Sequence, residues 1–219
     1  MKVVPVYESK KVIEMYGIPV TKMALAHTVE EAVKISKDIG FPLVMKIVSP
    51  DIVHKSDVGG VVLDVKNEEE VRKAFERIMK NVREKSPGAR IEGILLEEMV
   101  KGGYEVIVGG IRDEQFGPTI MFGLGGIFVE VFKDVAFGIA PLTFEEALEL
   151  IKKTKAYKIL EGYRGGEKAD TEKLAKTIVK VSEFLWEFRE YIKELDLNPV
   201  IVSKDEVKVV DARIVLEKT

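Results

Sequence analysis

The segment between residues 46 and 60 gathers cations, hydroxyl groups, a histidine and glycines in one short span. The apolar run 42–48, which contains a lysine, precedes the loop and the run 61–65 follows it, so two buried strands are predicted around the loop. A lysine among β-branched residues requires an anionic partner, and hydroxyls, cations and backbone amides near glycine are groups that bind phosphate. The predicted phosphate-binding residues are Lys46, Ser49, Lys55, Ser56, Gly59 and Gly60.

His54 lies in the same loop, and its imidazole is the best nucleophile among these side chains. Neutral imidazole is a competent nucleophile near neutral pH, whereas an unactivated serine or lysine is not. One hypothesis therefore gives His54 a chemical role at this phosphate site, with Gly59 and Gly60 as the hinge of a mobile loop. The alternative is a solvated loop histidine with no chemical role, because function requires a constellation of groups.

Oxygen-bearing side chains converge near the carboxyl terminus. Two strand-like runs, 192–202 and 207–214, are separated by a tight turn, and pairing across this turn places Asn198 opposite Asp211. Asp196 lies two residues before Asn198 and therefore on the same face of the strand. Such oxygen donors suit Mg²⁺, which takes one or two carboxylates together with waters and phosphate oxygens. A polar sheet face without a metal is the alternative.

A second glycine cluster occupies residues 123–126 between two predicted strands. It fits neither the G-x-x-x-x-G-K-[ST] pattern nor the G-x-G-x-x-G pattern, so P-loop and Rossmann sites are both disfavoured. A lone cluster of this kind is typical of a tight turn. Beside a phosphate site, Gly125 and Gly126 would instead permit close approach of the backbone.

The composition excludes several classes of site. Cysteine is absent, which removes disulfides, thiolate catalysis and cysteine-bound metals. With 46% hydrophobic and 32% charged residues, the chain is typical of a soluble globular protein. No apolar run approaches a membrane span and the first residues contain no signal-peptide core, so a cytoplasmic location is expected.

The charged residues bear on partners and source. The net charge is −3, with 34 basic and 37 acidic residues, so no nucleic-acid partner is expected. Asparagine and glutamine are scarce while lysine and glutamate are abundant. This bias is reported for hyperthermophile proteins, and a heat-adapted source is therefore expected.

Helical and strand patterns alternate and predict an α+β fold in two parts. Part 19–97 contains the histidine loop, part 98–219 begins with antiparallel strands, and a helical segment, 1–18, packs as an extension. The predicted helices cover 8–16 and begin at the capping residues Thr28, Asn67, Thr143 and Asp170 or Thr171. The predicted strands outside the segments already described are 19–26, 91–96, 104–111, 119–122, 128–132 and 135–139.

Four groups of residues along nearly the whole chain carry a family resemblance. They are Glu8 with Tyr16-Gly17-Ile18-Pro19-Val20, Ser49-Pro50-Asp51-Ile52-Val53-His54-Lys55-Ser56-Asp57-Val58-Gly59-Gly60-Val61, Gln115-Phe116-Gly117-Pro118 with Phe122-Gly123-Leu124-Gly125-Gly126-Ile127-Phe128-Val129-Glu130, and Leu195-Asp196-Leu197-Asn198-Pro199 with Val210-Asp211-Ala212. Read in order, they resemble an ATP-grasp domain, specifically the nucleotide-binding beta subunit of ADP-forming acyl-CoA synthetase (acetate–CoA ligase, ADP-forming). That family is related to the beta subunit of succinyl-CoA synthetase.

The resemblance implies an ATP-grasp fold of two α+β subdomains that bind ATP or ADP between them. It places Lys46 on the phosphates and Glu105 on the ribose. The strand end formed by Glu97, Glu98 and Met99 would meet adenine. The activity implied is acyl-CoA + ADP + phosphate = acid + ATP + CoA.

The resemblance also assigns the metal and the catalytic residues. Asn198 and Asp211 match the magnesium ligands, which agrees with the strand pairing derived from the sequence. His54 matches a histidine that relays the phosphoryl group between nucleotide and partner subunit, with Asp196 near it. Nothing in the chain resembles a CoA-binding module, so a separate alpha subunit is implied, in an assembly of two alpha and two beta chains.

Two other functions remain open from the sequence. One is a different ATP-grasp ligase, such as a carboxylate–amine ligase, in which an acyl phosphate forms directly and His54 has no special role. The other is a nucleotide-sensing regulatory subunit without catalysis. The joint presence of Lys46, His54, Asn198 and Asp211 favours the synthetase, because sensing requires no relay histidine.

Overall fold

The computed structural model describes residues 2–52, 54–125 and 134–217. The chain divides into two compact units, which we call the small unit (Thr21–Lys101) and the large unit (Met1–Val20 with Gly102–Thr219). The sequence placed the division at residues 97 and 98 and treated 1–18 as an extension. Among the described residues, no helix has the length and apolarity that crossing a membrane requires.

The first residues of the chain belong to the large unit and contain a strand as well as the predicted helix. They form β1 (Lys2–Val4) and α1 (Val6–Met15). β1 pairs antiparallel with the strand Ala212–Leu216, so the amino terminus forms an edge of the large sheet. Helix α1 ends before Gly17, whose φ of +81° lies in the left-handed region that glycine adopts without strain.

The small unit follows in the order β-α-β-β-α-β. Its elements are β2 (Met23–Ala26), α2 (Val29–Ile39), β3 (Leu43–Val48), β4 (Val61–Val65), α3 (Glu68–Lys85) and β5 (Gly93–Glu98). The predicted caps are confirmed, because the Thr28 hydroxyl accepts the Glu31 amide at 3.2 Å and the Asn67 side chain accepts the Glu70 amide at 2.9 Å.

The sheet of the small unit is antiparallel, with strand order β2-β5-β3-β4. Helix α2 contacts β2 and β5, helix α3 contacts β3 and β4, and the helices also contact each other. Ile47, Val71, Ile78 and Ile94 are fully buried in the core that this packing creates. Because β3 and β4 are neighbours, the loop that carries His54 joins two adjacent strand ends.

The remainder of the large unit supplies most of its sheet and three helices in the described ranges. The elements are β6 (Tyr104–Asp113), β7 (Gly117–Leu124), β8 (Val135–Ile139), α4 (Phe144–Lys152), α5 (Ala156–Leu160), α6 (Thr171–Glu187), β9 (Ile192–Val202), β10 (Val207–Val209) and β11 (Ala212–Leu216). The antiparallel arrangement predicted for β6 to β8 is confirmed. The predicted strand 128–132 lies outside the described residues.

The large sheet has the order β1-β11-β9-β6-β7-β8, and β10 also pairs with β9. Its strands alternate between two faces. Val106 and Val108 of β6 are fully buried, and a Cβ atom at Gly110 would lie 2.5 Å from the Leu185 side chain of α6. Residues of this phase therefore face the helices, and the alternate residues, including Glu105, form what we call the open face.

Candidate functional site

Lys46 lies within β3, and its anionic partner in the structure is a carboxylate. Its ammonium nitrogen lies 2.8 Å from Oε2 of Glu97 on the neighbouring strand β5. The Glu97 side chain is 3% exposed and the Lys46 side chain 29% exposed. The hydroxyl of Thr21 donates to the other Glu97 oxygen at 2.5 Å. The lysine is therefore fixed by a buried carboxylate while part of its side chain remains open to solvent.

The strand end predicted to meet adenine is held by backbone hydrogen bonds. The Glu98 amide donates to Lys22 O at 2.9 Å, and the Met99 amide donates to Pro42 O at 3.1 Å. The Glu98 carboxylate also accepts the Lys22 amide at 3.1 Å. Glu97 itself is directed at Lys46 and Thr21, so its side chain has a structural contact that the sequence did not indicate.

The His54 segment, which we define as residues 49–60, is held at its beginning by an ion pair. The Asp51 carboxylate accepts the Arg90 side chain at 3.0 Å (Nε) and 2.8 Å (Nη2), and also the Arg90 amide at 2.8 Å. These hydrogen bonds lower the pKa of Asp51 to about 2. Ser49 Oγ accepts the Asp51 amide at 3.2 Å. The adjacent Ile52 is buried.

The end of the His54 segment is held by helix α3 and by tight packing. Asn81 Nδ2 donates to Gly59 O at 3.2 Å. Gly60 is buried, and its amide donates to Lys55 O at 2.8 Å. A Cβ atom at Gly60 would lie 2.5 Å from the Ile47 side chain. Both glycines lie at anchored positions in this structure, and the hinge stays a prediction.

Between these anchors, the chain turns back and presents its chemical groups to solvent. His54 and Ser56 are exposed, and Lys55 is half-buried. The turn is closed by the Asp57 amide, which donates to His54 O at 3.2 Å. Lys85 of α3 donates to Asp57 O at 3.1 Å. The segment thus places an imidazole, a hydroxyl and an ammonium group within three consecutive residues of one turn.

The register of the carboxy-terminal strands places Asn198 beside Asp211, as predicted. Val202 pairs with Val207 across the turn, and the Asn198 amide donates to Asp211 O at 3.2 Å. Ala212 then pairs with Leu197, which continues the same register into β11. The two proposed oxygen donors therefore lie opposite each other, with Asn198 in β9 and Asp211 between β10 and β11.

Asp196 lies on the open face of the large sheet, two residues before Asn198 on strand β9. It pairs with Gly109 of β6 on one side and with Arg213 of β11 on the other. Burial raises the pKa of the Asp196 carboxyl above its ordinary value, against the opposing charge of Arg213. Arg213 in turn contacts the carboxylate of Glu194.

The described residues contain no group of three or more His, Asp or Glu side chains arranged to hold a metal. Asn198 is exposed and Asp211 is half-buried, so this pair is open to solvent. Two protein ligands with an open side suit Mg²⁺, which keeps waters and takes substrate phosphate oxygens. The donor set fits magnesium with a nucleotide and does not fit a closed structural site.

Glu105 and Gly125 are brought together at the start of β6. The Gly125 amide donates to Glu105 O at 2.9 Å, and a Cβ atom at Gly125 would lie 3.0 Å from the Glu105 carbonyl carbon. Gly125 therefore permits close approach to another strand, while the Glu105 side chain is exposed. Gly126, the other predicted member of this cluster, lies outside the described residues.

Sequence reasoning missed the residues that support the candidate site. Thr21 and Glu97 complete the surroundings of Lys46, while Arg90 and Asn81 hold the His54 segment. These contacts join residues between 22 and 76 positions apart. The one available signal was the lysine in the apolar run that forms β3, which required an anion from somewhere in the fold.

Residues 2–216 match the family described as ATP-grasp domain. The chain is 54% identical over 209 residues to the acetate–CoA ligase (ADP-forming) I subunit beta of Pyrococcus furiosus. This match covers 95% of this chain and 90% of that protein. It is also 51% identical over 209 residues to acetate–CoA ligase (ADP-forming) I of Archaeoglobus fulgidus. That match covers 95% of this chain and 30% of the longer protein.

Similarity extends to a solved structure of the dinucleotide forming acetyl-coenzyme A synthetase 1 of Ca. Korarchaeum cryptofilum. The TM-score is 0.86 at 48% identity, covering 99% of this chain and 93% of that chain. That structure is a complex with coenzyme A and Mg-AMPPCP, with a phosphohistidine segment pointing towards the nucleotide binding site.

Proposed function

The chain belongs to the ATP-grasp family, and on that premise we propose that it is the nucleotide-binding beta subunit of an ADP-forming acid–CoA ligase. The reaction is acyl-CoA + ADP + phosphate = acid + ATP + CoA. The observation that carries the proposal is an exposed His54 on an anchored segment, in a chain similar over 95% of its length to such a beta subunit.

The nucleotide phosphates are proposed to bind at Lys46 and at the following segment. The ammonium group is oriented by Glu97 and remains partly exposed, so it can meet a second anion from the solvent side. Lysine acts on phosphate as a point charge and offsets the charge of the transferring group. The segment would add the remaining proposed phosphate-binding residues, which are Ser49, Lys55, Ser56, Gly59 and Gly60.

The adenine and the ribose of the nucleotide are proposed to bind at positions that backbone hydrogen bonds hold in place. In the small unit, the proposed adenine site is the strand end formed by Glu97, Glu98 and Met99. In the large unit, the proposed ribose ligand is Glu105, whose side chain is exposed on the open face. Gly125 and Gly126 complete this set, since glycine permits close approach of a ligand to the backbone.

Asn198 and Asp211 are the proposed ligands of Mg²⁺. When bound, the ion neutralises phosphate charge and orients the phosphoryl group. The protein contributes two adjacent oxygen donors in a fixed register, and the open side of the pair leaves room for phosphate oxygens and waters.

His54 is the proposed phosphoryl acceptor. In the direction of ATP synthesis, a partner's phosphohistidine loses its phosphoryl group to an imidazole nitrogen of His54 as a new N–P bond forms. The terminal phosphate oxygen of ADP then attacks that phosphorus, and the N–P bond breaks to return neutral imidazole. Asp196, whose carboxyl pKa is raised by burial, is the second proposed catalytic residue.

The partner is proposed to be a CoA-binding alpha subunit, in an assembly of two alpha and two beta chains. The matched region forms 30% of the longer Archaeoglobus fulgidus ligase, which supports the need for further domains. Acyl selectivity is expected to reside in that partner, and the beta subunit alone is expected to bind nucleotide without completing turnover.

The relay is tested with the reconstituted enzyme, γ-labelled ATP and Mg²⁺. We expect His54→Ala to abolish transfer of label to the alpha subunit while the affinity for nucleotide remains that of the wild type. His27→Ala is the matched control, since it removes the other histidine of the chain. Unchanged transfer in His54→Ala would exclude the relay and favour direct transfer to the partner.

A further inference from the structure

The His54 segment is anchored on each side of the histidine by side chains from one distant part of the small unit. Asp51, three residues before His54, receives two hydrogen bonds from the Arg90 side chain and one from its amide. Gly59, five residues after His54, receives a hydrogen bond from Asn81. Asn81 belongs to α3 and Arg90 to the linker that follows it, so two nearby stretches of the chain hold the two ends.

We propose that Arg90 and Asn81 are positioning residues that fix the chain at Asp51 and at Gly59 and so set where the His54 imidazole lies during phosphoryl transfer. The inference rests on the proposed function of His54. Neither residue would touch the reacting atoms, and each acts through the loop backbone or through Asp51.

The geometry of the Arg90–Asp51 pair is directional rather than strongly stabilising. The two side chains are 75% and 37% exposed, and exposed ion pairs contribute little to the unfolding free energy. However, the bidentate contact together with the backbone hydrogen bond fixes both the distance and the angle at Asp51. Loss of the pair is therefore expected to alter the position of the segment more than the stability of the fold.

Asn81 makes an equivalent contact at the other end. Its amide group lies against Gly59, where a Cβ atom would lie 2.6 Å from Asn81 Nδ2. Gly59 has a φ of +67°, so the turn that Asn81 caps is one that residues with side chains rarely adopt. The contact thus selects one local backbone path just after the histidine.

A small displacement of the segment matters because phosphoryl transfer requires close approach of the donor and acceptor atoms. A misplacement of about 1 Å can cost about 100-fold in rate, even when the change lies away from the chemistry. Nucleotide affinity should fall less than the rate, because Lys46 is held separately by Glu97 while the other proposed phosphate ligands lie in the segment. The proposal therefore predicts a loss in kcat that exceeds the loss in nucleotide binding.

The kinetic test uses Arg90→Met in the reconstituted enzyme, with Arg77→Met as the matched control. Arg77 is an exposed arginine of α3, and the described residues offer it no ion-pair partner. We expect Arg90→Met to slow label transfer through His54 by about tenfold or more, and to weaken nucleotide binding by a clearly smaller factor. Arg77→Met should match the wild type, and Arg90→Lys should be intermediate because it keeps the charge without the fork.

A structural readout separates positioning from general destabilisation. The chain contains two histidines, so the imidazole NMR signals of the free beta subunit come from His54 and His27 alone. In Arg90→Met and Asn81→Ala, the His54 signal should move towards the position of an unstructured peptide. The His27 signal should stay in place, since His27 Nδ1 lies 2.9 Å from Glu92 O, a backbone acceptor that neither substitution removes.

The outcomes distinguish this inference from the proposed function. Normal transfer in Arg90→Met and Asn81→Ala, combined with collapse in His54→Ala, overturns the positioning role alone. Normal transfer in His54→Ala overturns the relay and the positioning role together. Loss of transfer in Arg90→Met that is matched by loss of nucleotide affinity or by movement of the His27 signal shows general unfolding and also overturns the positioning role.

Discussion

The two units hold their candidate site residues by different means. In the large unit, Asn198 and Asp211 are neighbours because β9, β10 and β11 follow one backbone register. In the small unit, the His54 segment and Lys46 are held by side-chain contacts. The contacting residues are 22 to 51 positions apart in the sequence. Backbone pairing positions the proposed magnesium ligands. Individual side-chain contacts position the segment of the proposed phosphoryl acceptor, His54, and the proposed phosphate ligand, Lys46.

This difference determines which substitutions each site tolerates. A strand ladder survives the loss of any one side chain, because the hydrogen bonds that set its register belong to the backbone. A contact between two side chains disappears when either partner is replaced. The small unit should therefore be sensitive to single changes away from the reacting groups, and the large unit should lose ligand binding without losing its fold.

The largest expected effect is the loss of stability when Lys46 is replaced, because this lysine contacts the buried Glu97 carboxylate of the small unit. Lys46→Met removes the charge beside Glu97 and leaves a carboxylate that is 3% exposed without that partner. Breaking one side of a buried ion pair typically costs about 3 kcal/mol or more of unfolding free energy. Guanidinium unfolding followed by circular dichroism measures the loss.

Lys80→Met is the control for that change. Lys80 forms an exposed pair with Glu84 at 3.9 Å on helix α3 of the same unit. Such pairs are worth about 0.5 kcal/mol or less. Equal stability of Lys46→Met and Lys80→Met would contradict the claim that a buried side-chain contact holds the lysine.

A smaller effect, on binding alone, is expected in the large unit. Asn198→Ala removes one proposed magnesium ligand from an exposed strand position, while the Asn198 amide keeps its hydrogen bond to Asp211. We expect calorimetric affinity for Mg·ADP to fall about tenfold, which is about 1.4 kcal/mol. The unfolding free energy should change by less than about 0.5 kcal/mol, as is usual at the surface.

The control for this prediction is Lys193→Ala, another exposed position of β9. It should leave both the affinity for Mg·ADP and the stability unchanged. A loss of folding in Asn198→Ala would show that side chains, and not the ladder, hold this part of the sheet.

The smallest effect concerns the acid stability of the His54 segment. Arg90 lowers the pKa of Asp51 from 3.8 to about 2, so the ionised carboxylate is favoured in the folded protein. Its contribution to stability is complete above the unfolded pKa and is lost as pH falls through the folded pKa. Unfolding curves between those two values should show a shallower loss in Asp51→Asn than in the wild type.

Asp51 changes its ionisation well below neutral pH, so this loss of stability does not occur near neutral pH. Arg90→Met should therefore slow phosphoryl transfer by the same factor throughout the range in which histidine titrates, roughly pH 5 to 8. A factor that varied strongly across this range would contradict an Asp51–Arg90 pair that stays ionised.

The features that were predicted from the sequence are those set by local or periodic patterns. The caps at Thr28 and Asn67 were predictable because a capping side chain bonds an amide three residues ahead. The pairing of Asn198 with Asp211 followed from the turn position and from strand alternation. The strand β1 was missed because three residues carry too little periodic signal.

The features that were missed depend on tertiary contacts. Phosphate was expected as the anion of Lys46, and the structure supplies Glu97, which the sequence had assigned to adenine binding. Gly59 and Gly60 were predicted to form a hinge, and the sequence did not indicate that they pack against Asn81 and Ile47. Composition and spacing identify glycine but do not indicate whether it permits motion or close packing.

The most direct test of the central claim is to locate phosphate on the isolated chain. We predict that γ-labelled ATP and Mg²⁺ place an acid-labile, alkali-stable label on this subunit, and that mass spectrometry finds it on His54. Phosphoramidate bonds to imidazole have that stability, unlike phosphate esters of serine. A label that persists in His54→Ala, or one that resides on another residue, would contradict the assignment of His54 as the phosphoryl acceptor.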